Sequence, residues 1–409
     1  MMKKNYLSIA LFVALTMPAM ADTTVDEMFT QGSLTGQLRM FDFSRDFDGT
    51  TKTKHDTSFG GLFYYRTAEV NGITLGGSFA SANRVLPDEN QDVYGLLANE
   101  NGEHTSVNRM QEYFIQTNWW NTKVTIGAQE LRTPMMNPHD IRAIKRSFRG
   151  VSAINNSFDN LTLTALYITD SMGWSDQNFV SVSQAVQGEL TRAGITADVA
   201  DNPVYALGAT YKLPTANLSI VADLWHYNMP DVFGQIYAKL KFTVPVGDAE
   251  LYLTPSYLKQ DSIGDETGGS LDTYQWGSHA GIKYAGADLT LFYTKTGDQG
   301  ILAPWGDEKV VIQQVYQSTQ SNEEVYAARI NYDFSKVGAE GLSAYVFYGD
   351  YDVPKGKGRS FSELDLSATY KLDSILKGLS SRIRYAIVDF ESGEDLTDLR
   401  LYLTYDFKL

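Results

Sequence analysis

Residues 396–409 read Leu-Thr-Asp-Leu-Arg-Leu-Tyr-Leu-Thr-Tyr-Asp-Phe-Lys-Leu. Leu399, Leu401, Leu403, Tyr405, Phe407 and Leu409 alternate with Asp398, Arg400, Tyr402, Thr404, Asp406 and Lys408. Successive side chains of a strand point to opposite faces, so this segment predicts a strand between an apolar and a polar environment. The other end of the chain repeats the pattern. Leu34, Gly36, Leu38 and Met40 share one face, and Thr35, Gln37, Arg39 and Phe41 the other. Strands of soluble sandwiches usually end after about five or six residues. Here the alternating runs last about ten, the length at which a tilted strand crosses a bilayer.

Between these runs, short and long connections alternate. Val70-Asn71-Gly72, Trp120-Asn121-Thr122, Ser157 to Asn160, Leu213 to Ala216, Val246-Gly247-Asp248 and Ala285-Gly286 read as tight turns. Residues 84–108, 131–149, 170–202, 260–270 and 297–322 read as long polar loops. That alternation matches barrels with periplasmic turns and extracellular loops. Trp119, Trp120, Tyr211, Trp225, Tyr227, Tyr284, Tyr332, Phe334, Tyr370 and Phe407 sit near run ends, where interfacial girdles would place them. The expected fold is all-β: a transmembrane antiparallel β-barrel of about eighteen strands, wide enough for an aqueous lumen, without a plug domain.

Composition narrows the function. The 409 residues carry 34 Lys+Arg against 49 Asp+Glu, a net charge of −15, and no cysteine. Nucleic-acid binding is excluded as a function class by the absence of a basic balance. Disulfides, thiolate zinc sites and cysteine nucleophiles are excluded outright. Lys3 and Lys4 precede an apolar stretch from Tyr6 to Met17, followed by Ala19-Met20-Ala21. This is the layout of a secretory signal peptide over residues 1–21, leaving residues 22–409 as a single barrel domain. Past it, no apolar run is long enough for a transmembrane helix.

Residues 134–150 read Pro-Met-Met-Asn-Pro-His-Asp-Ile-Arg-Ala-Ile-Lys-Arg-Ser-Phe-Arg-Gly. The segment resembles the loop motif of OprD-like substrate-specific outer-membrane porins, with Asp140, Arg142, Phe148, Arg149 and Gly150 in place and Lys145 where proline is common. Asp159 to Leu163, Tyr332-Asp333-Phe334, Gly341-Leu342-Ser343, Leu379 to Arg384, Asp398 to Leu401 and Tyr405-Asp406-Phe407 extend the resemblance over both halves. Residues 170–320 match in rhythm more than in residues, and Leu409 replaces the usual final phenylalanine. The resemblance implies a monomeric or homotrimeric channel in the outer membrane of a Gram-negative bacterium. Its loops would fold inward, and a lumenal row of arginines would guide small carboxylate-bearing solutes.

The residues supply candidates for those parts. Arg39, Arg382, Arg384 and Arg400 fall on the face opposite the apolar one, on strands that become neighbours when the barrel closes. Each can grip a carboxylate through two hydrogen bonds, or pair with Asp398, Asp406 or Asp365 to satisfy the interior. Arg132, Arg142, Lys145, Arg146 and Arg149, with Asp140 and Phe148, form a basic loop in an acidic protein. It reads as an inward constriction, or alternatively as a contact for lipopolysaccharide phosphates. Glu363 and Asp365 are expected on the wall opposite the arginines, where they would hold a solute's ammonium group. Asp88, Glu89 and Asp92, Asp261, Asp265 and Glu266, and Glu391, Glu394 and Asp395 make acidic loops that read as solvated surface, with Ca²⁺ as the alternative. His55, His104, His139, His226 and His279 form no metal motif, and neither Gly-x-Ser-x-Gly nor His-Glu-x-x-His occurs. The expected function is therefore passive, selective diffusion of small hydrophilic solutes through a cofactor-free, non-enzymatic channel embedded in outer-membrane lipid. The alternatives are a general, weakly selective porin, and an outer-membrane enzyme or adhesin.

Overall fold

The computed structural model describes residues 25–85, 93, 95–100, 102–306 and 308–409. The expected leader, and Asp88, Glu89 and Asp92, lie outside the described residues. After a short helix, α1 (Val25–Thr30), eighteen long strands follow in order. They are β1 (Ser33–Phe47), β2 (Lys54–Arg66), β3 (Ile73–Arg84), β4 (Val107–Trp119), β5 (Thr122–Gln129) and β6 (Ser147–Phe158). Next come β7 (Leu161–Met172), β8 (Val204–Leu213), β9 (Ser219–Met229), β10 (Phe233–Val246), β11 (Ala249–Ser262) and β12 (Asp272–Tyr284). The last are β13 (Ala287–Thr296), β14 (Glu324–Asp333), β15 (Leu342–Asp352), β16 (Phe361–Lys371), β17 (Leu379–Phe390) and β18 (Leu396–Lys408).

Each strand pairs antiparallel with its sequence neighbours, and β1 closes on β18 from Thr35↔Lys408 to Phe47↔Leu396. Closure removes both sheet edges, so the spanning strands leave no ladder group to lipid. The tight turns follow from backbone chemistry. Trp120 and Asn121 both take positive φ (51° and 54°), and Ala285-Gly286 does the same (49° and 88°). Two-residue hairpins need positive φ at both central positions to match the twist of the strands.

Alternation then sorts the faces. Met40, Ile383, Leu401 and Leu403 lie exposed on the outer surface, while Arg39, Phe41, Phe43, Arg384 and Arg400 are buried toward the lumen. The outer face carries apolar groups into lipid, the environment in which an exposed leucine costs nothing. Two expected girdle residues are corrected: Trp225 and Tyr227 are buried in the lumen, stacked at 5.7 Å. They alternate with Leu224 and His226, which take the outward positions.

The lumen is far from empty. Leu96, Leu97, Ala143 and Ile144 pack on Phe41, Phe43 and Leu62. Met135, Met136 and Trp305 join Phe148, Trp225 and Tyr227. A second helix, α2 (Val182–Arg192), adds Val182, Val186 and Leu190 to the same cluster. Apolar side chains from the long loops thus hold those loops inside the barrel by the same burial that holds a soluble core.

Candidate functional site

Two loops cross the bore. The first spans residues 130–146. At its end, the Lys145 carbonyl accepts hydrogen bonds from Arg109 (2.8 Å) and Gln111 (2.9 Å) of β4. In its middle, Arg39 of β1 donates to the Asp140 carboxylate (2.8 Å) and to the Arg142 carbonyl (2.6 Å). Near its start, the Met135 N–H reaches the Tyr227 hydroxyl of β9 at 3.3 Å. Because β1 and β9 stand on opposite sides of the barrel, these anchors stretch the loop across it.

The second loop, residues 297–323, hangs from the β16–β18 wall. Asp365 accepts the Gln314 N–H (2.9 Å), and Glu363 accepts those of Val315 (2.7 Å) and Tyr316 (3.0 Å). The Gln314 side chain donates to Asp398 (2.7 Å), and Arg400 donates to the Gln314 carbonyl (2.9 Å). The loops also meet each other: Glu308 N–H bonds to the Pro134 carbonyl (2.7 Å), and Asn137 to that of Gly306 (3.1 Å).

Around this junction the lumen divides. On the long-loop side lies a vestibule of about 350 Å³, lined by Arg45, Lys54, Arg142, Arg146, Arg192 and Arg384, with Glu189 the acid on its wall among the described residues. On the short-turn side, beneath the first loop, lies a cavity of about 540 Å³ with Arg132, Asp140, Asp223, Lys239 and Glu308. His139 and Ile312 line both spaces, and so stand between them.

The four expected arginines do share one wall. Arg384 pairs with Arg400 and Arg382 with Tyr402 across β17 and β18, while Arg39 lies opposite Thr404 on the closing pair. Their partners differ. Arg400 is 1% exposed and bonded to Asp398 (2.7 Å), which Arg45 also grips at 2.6 Å. Arg39 is committed to Asp140. Arg382 donates to the Ser367 hydroxyl (3.3 Å), and the buried Arg384 Nε has no hydrogen-bond partner. Among the described residues neither forms a carboxylate ion pair.

Several expected placements are corrected. Glu363 and Asp365 do not stand opposite the arginines: β16 is the strand next to β17, with Asp365 beside Ala386. Both carboxylates are fully buried under the second loop and receive its amides, so they are anchors of that loop. Phe148 and Arg149 belong to β6, not to the loop. Phe148 points inward onto Met135 and Met136, whereas Arg149 points outward, bonded to Asp170 (2.6 Å) beside the exposed Tyr113. Lys145 lies inside, bonded to Tyr64 (3.1 Å) and Glu130 (3.3 Å), and Arg146 stacks on Trp174 at 3.8 Å. The remaining acidic loops use their oxygens locally. Glu394 accepts the Thr51 N–H at 3.2 Å, Asp395 that of Phe390 at 2.7 Å, and Asp261 holds Lys259 at 2.7 Å. Among the described residues, no three His, Asp or Glu side chains gather as a metal site would require.

Sequence reasoning missed the vestibule's other cations. Arg45 continues the inward series Arg39, Phe41, Phe43 and was findable by extending the first strand. Arg192 sits at the end of a loop helix, and no strand pattern could have announced it.

An eighteen-strand closed barrel with an apolar outer face, and a lumen narrowed by loops between two cavities, is a diffusion channel of an outer membrane, not an enzyme. Residues 70–409 match the family model described as outer membrane porin, OprD family, and the chain belongs to that family. No curated protein matches the chain. Among solved structures, Pseudomonas aeruginosa OccK9 (OpdG) is 20% identical with a TM-score of 0.83, covering 93% of this chain and 100% of its own. Pseudomonas aeruginosa OpdK with vanillate is 18% identical with a TM-score of 0.81, with the same coverages of 93% and 100%. A BenF-like porin from Pseudomonas fluorescens is 17% identical with a TM-score of 0.80, again over 93% and 100%. Likeness at these identities is likeness of fold.

Proposed function

We propose that this porin selects small carboxylate-bearing solutes, and that Arg382 and Arg384 are the groups that receive them. The observation that carries this reading is the contrast on one wall. Arg39 and Arg400 are ion-paired to acids, while Arg382 and Arg384 have no carboxylate within ion-pair distance among the described residues and Arg384 opens to the vestibule. A guanidinium is always charged, so a carboxylate arriving there gains a charge-assisted contact that no protein group already fills. The cations of the vestibule would raise the local concentration of anions at its mouth. Asp140, Arg142, Lys145 and Arg146 on the first loop then serve as the constriction, with Arg142 and Arg146 facing the incoming solute. OpdK is a structural neighbour crystallised with vanillate, a carboxylate, which supports the solute class. Passage needs no cofactor on this reading: binding must be strong enough to recruit and weak enough to release.

Swelling of liposomes bearing the channel, with matched carboxylates, amino acids and neutral sugars, tests the reading. Carboxylates should enter faster than sugars of the same size. Equal rates would leave a general porin.

A further inference from the structure

Two side chains stand where the lumen divides, and each is aimed there by its neighbours. On the second loop, Val311 is fully buried in the apolar cluster of β13 to β18, and Gln313 donates to the Phe347 (3.2 Å) and Glu363 (3.0 Å) carbonyls. The Gln313 side chain lies over Gly349 of β15, where a Cβ would leave it no room. Residues 311 and 313 thus turn to the wall. Extended backbone sends alternate side chains to opposite faces, and the bridge Ile312↔Gln317 marks this segment as extended, so Ile312 turns to the lumen. It is 38% exposed there and lines the vestibule, the cavity beneath the first loop, and a further cavity of about 350 Å³ under the second.

On the first loop, His139 takes a left-handed φ of 45°, and its carbonyl accepts the Trp174 Nε1–H (2.8 Å) and the Ile141 N–H (2.8 Å). Its ring lies 5.3 Å from that of Trp174 and also meets the second loop's backbone at Gly306. A Cβ on Gly306 would stand 2.8 Å from His139 Nδ1, closer than such contacts allow, so the ring's seat depends on glycine there. Ile312 is pinned by its neighbours on both sides along the chain. The imidazole, whose buried Nδ1 has no hydrogen-bond partner, is the side that yields. An exposed isoleucine on the outer face is covered by lipid. Ile312 stands in the aqueous lumen instead, where an apolar group offers a passing ion no replacement for its hydration water.

We infer that Ile312 and His139 are the size-determining pair of the channel: a solute crosses from the vestibule to the lower cavity between them. The inference needs the channel but not the carboxylate role of Arg382 and Arg384, which concerns charge.

Single-channel recording in planar bilayers and swelling of liposomes with neutral sugars test it. Ile312→Ala should raise the conductance in potassium chloride and the size of the largest sugar admitted, and Ile312→Trp should lower both. Because the chain contains no cysteine, Ile312→Cys carries the sole thiol. A bulky, neutral methanethiosulfonate should remove most of its current when added from either side, and leave the parent's current unchanged. The same reagent on Thr210→Cys, in the wall beneath the first loop, should remove far less. His139→Gly, which suits the left-handed backbone, should widen the channel as Ile312→Ala does, and carries the comparison should changes at 312 disturb the second loop. The ratio of carboxylate to sugar uptake at equal size should match the parent's in Ile312→Ala, which separates failure here from failure of the proposed selectivity. Parent-like conductance and size limit in both widening variants, or undiminished current after modification of the Ile312→Cys channel, would overturn the pair.

Discussion

Arg384 and Arg400 are register partners with opposite surroundings. Arg400 and Asp398 are buried together, with Arg45 as a third member. Removing one partner of such a pair leaves an uncompensated buried charge, at a cost of about 3–5 kcal/mol. Arg400→Gln should therefore lower the midpoint of guanidinium unfolding clearly, while Arg384→Gln should barely move it. Similar midpoints for the two variants would mean that Arg384 is as structural as its neighbour. Alternation alone placed all four arginines on the lumenal face, because the strand period of two is local. Which of them keep a free hand depends on Asp140 and Gln314, more than 80 residues away on loops, and no local pattern carries that. Loop residues offer a pH prediction. Hydrogen bonds from Thr51, then Thr50, hold the Glu394 carboxyl down at about 2, below its ordinary 4.5. A depressed carboxylate stabilises the folded form above its unfolded pKa and loses that contribution as pH falls through the folded one. Exchange protection of the Thr50 and Thr51 amides, corrected for intrinsic rates, should persist at pH 5 and fade between pH 4.5 and 2. Protection unchanged in Glu394→Gln would show that the carboxylate is not what orders the 48–53 loop.

Elements were legible where a strand runs between lipid and lumen, as in β1 and β18, and illegible where a loop docks. The apolar pairs Met135-Met136 and Leu96-Leu97 were the available signal for inward loops, since exposed loops have little use for them. Glu363 and Asp365 looked like lining because they sit at inward positions; what covers them is a loop whose path cannot be read from strand period. Facing is testable on two strands. Leu401 is 41% exposed on the outer surface, while Gln37 points inward and bonds Asp406 at 2.7 Å. Leu401→Arg should lower folding stability by about 2–4 kcal/mol, the penalty for arginine on the lipid face at mid-bilayer. Gln37→Arg, beside an acid in the lumen, should fold as the parent does; equal folding yields would reverse the register. Glu363→Ala strips the Val315 and Tyr316 amides of their acceptor, each left unsatisfied at about 1–3 kcal/mol. The second loop should then leave the wall, seen as larger and noisier single-channel conductance. A parent-like trace would show that the hydrophobic contacts of Val311 suffice to hold it.

At the scale of the whole molecule, a chain of net charge −15 presents a vestibule lined, among the described residues, by six cations and one acid. The two facts are compatible because permeating ions respond to the lining, and screening over about 8 Å at physiological salt hides distant surface acids. The barrel supplies a rigid frame, the two loops divide the lumen at His139 and Ile312, and β17 supplies two arginines that form no carboxylate ion pair among the described residues. On the proposed reading, selectivity for carboxylates rests on Arg382 and Arg384 in the setting of that vestibule. The most direct measurement is the reversal potential of the parent and of the Arg382→Gln, Arg384→Gln channel in the same potassium acetate gradient. The account predicts a shift toward cation preference in the variant, with normal barrel assembly by heat-modifiable mobility. An identical reversal potential in a properly assembled variant would contradict it.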